Sequence, residues 1–246
     1  AIKFCDGNSK AVRHVAISNI IITNSNRGLA FMVFDGGIVE DVVIDNVTID
    51  TRRFDWFWWG DGDPIHFNIK RRSEIDGRHY ENEPAAGIIR NISISNVIAH
   101  GQGTSAIEGH PDSWLEGVRF NHIRLFVSHG ADAAYESTTA ALTLKYARDV
   151  AIKDVEIGWE EPHAMTWQSA LTADQVQDLL LEDMRIDGAP GSNEPVLRLN
   201  DADGAVLRQL RVQSIDVTGA KSRAVRLLDT EAKITTGPGV PPVIAK

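Results

Sequence analysis

The chain has 246 residues, 43% hydrophobic and 24% charged, which is the composition of a folded domain and not of a disordered one. No apolar run approaches the roughly 18 residues of a membrane helix. The lone Cys5 excludes an internal disulfide framework and a thiolate zinc spacing. A net charge of −9 sets the surface as a whole against nucleic acid and anionic membrane, so neither is expected as a partner.

In chain order, Ile2–Phe4 reads as a short strand. One pattern then recurs: apolar, any, apolar, any, a small polar residue, apolar, any, apolar. Its first copy is Val15, Ile17, Asn19, Ile20, Ile22, followed by a strand at Leu29–Val33. Val42, Ile44, Asn46, Val47, Ile49 make the second, with a strand at Ile65–Ile69 beyond a long interruption. Ile92, Ile94, Asn96, Val97 precede the strand Ala106–Glu108, and Val118, Phe120, His122, Ile123, Leu125 precede Leu142–Lys145. The remaining copies are Val150, Ile152, Asp154, Val155, Ile157, then Leu179, Leu181, Asp183, Met184, Ile186, then Leu210, Val212, Ser214, Ile215, Val217. Strands at Val196–Leu199 and Ala224–Leu227 flank the last copy. From Thr235 the chain is rich in Pro and Gly and is expected to trail along the surface or lie disordered.

The first apolar residue recurs after 27, 50, 26, 32, 29 and 31 positions, and the 50 is close to two turns. Such periods suit one coil of a β-solenoid. Apolar residues two apart face the coil interior. The Asn, Asp or Ser between them tolerates left-handed backbone and bends one strand into the next. The expected fold is therefore all-β: a single-stranded right-handed parallel β-helix of about nine coils over residues 1–234, with 235–246 as a tail. A leucine-rich repeat would need helical returns, and a sandwich would not place a polar residue at the same point of every copy. His66, Asn68, Thr143, Lys145, Arg198 and Arg226 alternate with the apolar residues of the second strands, so one sheet face is expected to meet solvent.

Function is expected where the repeat is decorated. The largest decoration, Thr51–Glu83, holds Arg53, then Phe54, Trp56, Phe57, Trp58 and Trp59. Asp61 and Asp63 follow on a Gly-rich turn, His66, Asn68 and Lys70 on one strand face, and then Arg71 and Arg72. Aromatic faces stack on sugar rings, carboxylates do acid–base work, and cationic side chains bind carboxylated sugars. This makes Asp61, Asp63 and His66 the candidate catalytic set. Arg53, Trp56, Trp58, Trp59, Asn68, Lys70, Arg71 and Arg72 are candidate substrate contacts. The plainer alternative is an aromatic cap, a turn and a solvated charge run. A second decoration, Gly101–Trp114, brings Glu108, His110 and Asp112 close together and adds them to the substrate contacts; the alternative is a loop whose His and Asp satisfy backbone groups. No metal-ligand spacing is recognisable and no cofactor is expected. His129, His163 and Trp167 fall in connecting loops and read as packing or surface.

The coils with their Asn-x-x-Ile steps and the block RRFDWFWWGDGDPIHFNIKRRSEIDG resemble glycoside hydrolase family 28, the polygalacturonase-like enzymes. The resemblance is strongest over Ala1–Trp114. It implies hydrolysis of pectic or other uronate-containing polysaccharide with inversion, in a secreted or periplasmic monomer. The family's Asn-Thr-Asp, Asp-Asp and Gly-His-Gly motifs would lie upstream of Ala1. Its Arg-Ile-Lys motif would fall near Gly28–Met32, where Ala30 and Met32 replace both basic residues. Lys70 and Arg71 are the expected substitutes for that charge. Two other functions remain open: a polysaccharide lyase on the same fold, and a carbohydrate-binding β-helix without turnover.

Overall fold

A computed structural model describes residues 1–5, 11–54, 60–77, 83–130 and 138–245. The chain is a stack of parallel β-coils. In order the strands are β1 (Ile2–Cys5), β2 (Ala11–Ser25), β3 (Arg27–Phe34), β4 (Ile38–Thr51), β5 (Asp63–Lys70), β6 (Ile88–Gly101), β7 (Ser105–Glu108) and β8 (Leu115–Val127). There follow β9 (Ala140–Trp159), β10 (Ser169–Ile186), β11 (Leu197–Asp203), β12 (Val206–Arg208), β13 (Arg211–Thr218), β14 (Arg226–Leu228), β15 (Glu231–Thr236) and β16 (Ile244–Ala245). A five-residue helix, α1 (Arg72–Asp76), follows β5.

Two ladders run the length of the stack. The first joins β1, β3, β5, β7, the starts of β9 and β10, β11, β13 and β15. The second joins β2, β4, β6, β8, the later parts of β9 and β10, β12, β14 and β16. Every pairing between these strands is parallel, with Val15 beside Val42, Val42 beside Ile92, Ile92 beside Val118 and Val118 beside Val150. The interior is a continuous apolar column in which Val42, Ile44, Ile94, Val118 and Ile157 are fully buried. Phe4, Phe31 and Phe67 stack face to face within it, with centroids 4.7 and 4.4 Å apart.

The predicted bends are present. Asn19, Asn46, Asn96, His122, Asp154 and Asp183 all take left-handed backbone, with φ between 48° and 59°. A second left-handed bend lies five residues earlier in each copy, at His14, Asp41, Asn91, Gly117, Asp149 and Asp178. The copies thus turn twice, not once.

The last copy is in a different register from the one its sequence suggested. Leu180–Glu182 pair with Val206–Arg208, an offset of 26, so Ala205, Leu207, Leu210 and Val212 continue the apolar column with Gln209 at the bend (φ 54°). Ser214 is not a bend. Ile215 and Val217 stack instead on Leu197 and Leu199 in the first ladder, and Arg226–Leu228 stack on Val206–Arg208 in the second. The physical reason is a shortened coil. The loop between β10 and β11 has no counterpart in the next turn, where β13 alone spans from the Arg185 register to the Leu197 register. Offsets then fall to 18 and 20. The tail also joins the stack: Thr235 and Thr236 lie in β15, and Ile244 and Ala245 pair with Arg226 and Leu227.

Candidate functional site

The outward side of the first ladder carries two adjacent rows of side chains, fixed by alternation along each strand and by register between strands. One row runs Ala30, His66, Ala106, Thr143, Thr172, Arg198. The other runs Met32, Asn68, Glu108, Lys145, Asp174, Asn200, Thr218. Neighbouring strands lie about 4.8 Å apart, so each row is a line of groups at that spacing.

The face is not uniformly open. On β3 the outward Ala30, Met32 and Phe34 are buried in a small apolar cluster of their own. The solvent-facing part begins at β5.

In the second row, Lys145 Nζ lies 3.7 Å from Asp174 Oδ2, Asn200 Nδ2 donates to Asp174 Oδ1 at 2.6 Å, and Thr218 Oγ1 donates to Asn200 Oδ1 at 3.1 Å. Glu108 and Asn68 have no hydrogen-bond or ion-pair partner among the described residues. Lys145 also sits 5.2 Å over the Tyr146 ring, and Trp114 packs near that ring at 6.3 Å. Gly109 brings its backbone close to this turn: a Cβ there would fall 2.3 Å from the Tyr146 carbonyl oxygen.

Asp63 and His66 form a second arrangement at the start of β5. Asp63 is 3% exposed. Its Oδ2 accepts from Arg27 Nε at 2.6 Å and lies 3.0 Å from His66 Nδ1, while Oδ1 accepts the Asp61 backbone N–H at 2.8 Å. Burial by itself pushes this carboxyl up, but the His66 hydrogen bond and the Arg27 charge outweigh it and hold it below the usual carboxylate range. Asp63 is therefore a fixed carboxylate. The Asp61 side chain is exposed and unpartnered among the described residues.

His110, Asp112 and Arg71 are joined to Glu74 of α1 in a closed network. Arg71 Nη2 donates to Asp112 Oδ2 at 2.6 Å, and Arg71 Nη1 lies 3.3 Å from Glu74 Oε1. The Asp112 backbone N–H donates to His110 Nδ1 at 3.1 Å. That leaves His110 Nε2 to donate to Glu74 Oε1 at 2.8 Å. The Arg71 hydrogen bond holds the Asp112 carboxyl below its ordinary value. These groups spend their polar capacity on one another and pin the loop before β8 to α1.

The other sequence candidates are spread around this face. Arg53 is 6% exposed and donates through Nη2 to Thr138 Oγ1 at 2.9 Å. Arg72 pairs with Asp35 at 3.0 Å. Lys70 is exposed at the end of β5 and forms no ion pair among the described residues. Trp56, Trp58 and Trp59 lie outside the described residues. Trp167 is buried against Trp159, with centroids 4.6 Å apart, and His163 lies 3.4 Å from Glu161. Asp174, Asn200, Trp114 and Tyr146 were not singled out from the sequence. The signal for Asp174 was the alternation Leu171, Ala173 in SALTAD, whose Ala residues advertise a strand only weakly.

Among the described residues no group of three or more His, Cys, Asp or Glu is placed to hold a metal ion, and no helix is long and apolar enough to cross a membrane. No protein-family model matches the chain, and no curated protein matches it. Among solved structures it is similar to the A-module of the mannuronan C-5 epimerase AlgE4 of Azotobacter vinelandii, at 11% identity over 96% of this chain and 90% of that one, with a TM-score of 0.32. It is also similar to a trypsin-treated QnrB1, a plasmid-mediated fluoroquinolone resistance protein, at 9% identity over 93% of this chain and 92% of that one, with a TM-score of 0.24. Both superpositions are loose, and neither likeness bears on what this chain does.

Proposed function

We propose that the outward face of the first ladder binds a uronate-containing polysaccharide laid across the coils and hydrolyses it with inversion, the reaction class that the polygalacturonase-like resemblance implies, here on this ladder's own carboxyl groups and not on the family's motifs. The observation that carries this reading is the row Asn68, Glu108, Lys145, Asp174, Asn200, which puts an unpartnered carboxyl, a cation and a second carboxyl on successive rungs. Glu108 and Asp174 are two rungs apart, about 9.6 Å at the backbone. Inverting hydrolysis needs carboxyl groups about 6.5–9.5 Å apart, with room for a water between sugar and base, and side-chain flexibility covers the difference.

In this assignment Glu108 protonates the leaving oxygen. Asp174, held by Lys145 and Asn200, takes a proton from the attacking water. Lys145 and Lys70 bind uronate carboxylates, and Tyr146 and Trp114 offer ring faces to a sugar. Asp63 is committed to Arg27 and His66 as an ionised group, so the acid is placed on Glu108 and not on Asp63. The stack itself is assigned right-handed winding and about nine coils, in keeping with the hand of parallel crossovers.

Proton NMR of a polygalacturonate digest tests the stereochemistry. Inversion predicts that the anomer opposite to the substrate linkage appears first and mutarotates afterwards. First appearance of the retained anomer, or of an unsaturated product absorbing in the ultraviolet, would replace the mechanism.

A further inference from the structure

We infer that His66 reads a sugar hydroxyl: its Nε2 accepts a hydrogen bond from the residue of the polysaccharide beside the bond that Glu108 protonates. This rests on the polysaccharide reading above. Arg27 and Asp63 are both withdrawn from solvent, with side chains 14% and 4% exposed, and they already satisfy one another's charge. His66 is added to that pair from the open side, at 16% exposure, through Nδ1 alone.

The Asp63 carboxylate is acceptor-only, so Nδ1 carries a proton, and in the neutral imidazole Nε2 then keeps its lone pair. No described residue meets Nε2. The imidazole can neither flip nor exchange tautomer without leaving a buried carboxylate short of a donor, so the lone pair has a fixed direction. Space around it is also provided for. On one side of His66 in its row Ala30 is fully buried in the β3 cluster, and on the other Ala106 carries only a methyl group, so the open side lies toward Ala106. Asn68 stands two residues along the same strand, and Glu108 one rung across from Asn68, about 8 Å from His66 at the backbone. A fixed acceptor beside an acid matches a neutral hydroxyl donor. A uronate carboxylate, itself an acceptor, is the wrong partner for it.

The test separates holding Asp63 from reading substrate. His66→Asn retains an N–H where Nδ1 was and presents nothing at the Nε2 position, whereas His66→Ala loses both. The expected result for His66→Asn is a urea midpoint close to that of the unsubstituted protein and a KM for oligogalacturonate raised at least tenfold, with kcat less affected. Nitrogen-15 NMR of the full chain should show His66 with Nε2 unprotonated, and trigalacturonate should shift that resonance in the Glu108→Gln protein. An unchanged KM in His66→Asn, or a proton on Nε2 in the free protein, overturns the inference while leaving Glu108-dependent turnover intact. Absence of any binding or turnover by the unsubstituted protein removes the parent reading and this inference together, and is a different result from either.

Discussion

At the scale of single residues, the face of the first ladder separates groups that are spent from groups that are available. Asp63 is spent. Removing its guanidinium partner by Arg27→Met leaves a buried carboxylate short of its counter-charge, and the expected loss of folding stability is about 3–5 kcal/mol in urea denaturation. The pH dependence follows from the depressed carboxyl. Its contribution is complete above the unfolded value of about 3.9 and is lost as pH falls through the lower folded value. The urea midpoint should therefore decline below about pH 4, and Asp63→Asn should remove part of that slope. Glu108, by contrast, is available, and Glu108→Gln should leave the urea midpoint nearly unchanged. The roles of spent and available groups were not legible in the sequence. Asp61, Asp63, His66, Glu108, His110 and Asp112 all read alike as polar residues in decorated stretches, and only the three-dimensional placement of Arg27, Glu74 and Arg71 divides them.

At the scale of the repeating element, much was legible. The residue between the apolar pairs must adopt left-handed backbone, and Asn or Asp does so at small cost because its side chain can bond locally. Asn46 illustrates this: φ is 56°, and Nδ2 donates to Asn19 Oδ1 of the preceding coil at 2.6 Å. Asn46→Ala should cost about 1–2 kcal/mol, and Asn46→Gly less. The opposite case is Ala224, which occupies the same kind of bend at φ 53° one turn after Gly204 at φ 69°. Ala224→Gly should raise stability by up to about 1 kcal/mol, read as an increase in the urea midpoint at constant slope. Legibility failed at the last full copy because the bend there is Gln209, a residue with no marked turn preference, while Ser214 imitates the expected polar residue in the wrong place. It failed again at the second bend of each copy, five residues before the first, where Asp41, Asn91, Asp149 and Asp178 carry the same Asn or Asp preference but His14 and Gly117 interrupt the pattern.

At the scale of the whole molecule, the coils narrow toward the C-terminal end of the stack. Offsets of 26 to 32 through β6–β10 give way to 18 and 20 at β13 and β14. A hollow of about 190 Å³ lined by Arg124, Glu156, Asp183, Arg185 and Arg211 lies on the second ladder, away from Glu108. Arg124 and Arg185 are each paired with Glu156 there, at 3.3 and 3.4 Å, as expected of a charge-balanced surface. The first ladder instead keeps one unbroken line of polar side chains from Asn68 to Thr218, the surface on which the proposed polysaccharide is placed. The most direct test of that assignment is the release of reducing ends from polygalacturonate by the protein and its Glu108→Gln and Asp174→Asn variants. The account predicts turnover by the unsubstituted chain and a fall of about 10²–10⁴-fold in kcat for each variant, with oligosaccharide binding retained. Turnover that survives both substitutions would contradict it, as would a chain that binds no uronate polymer at all.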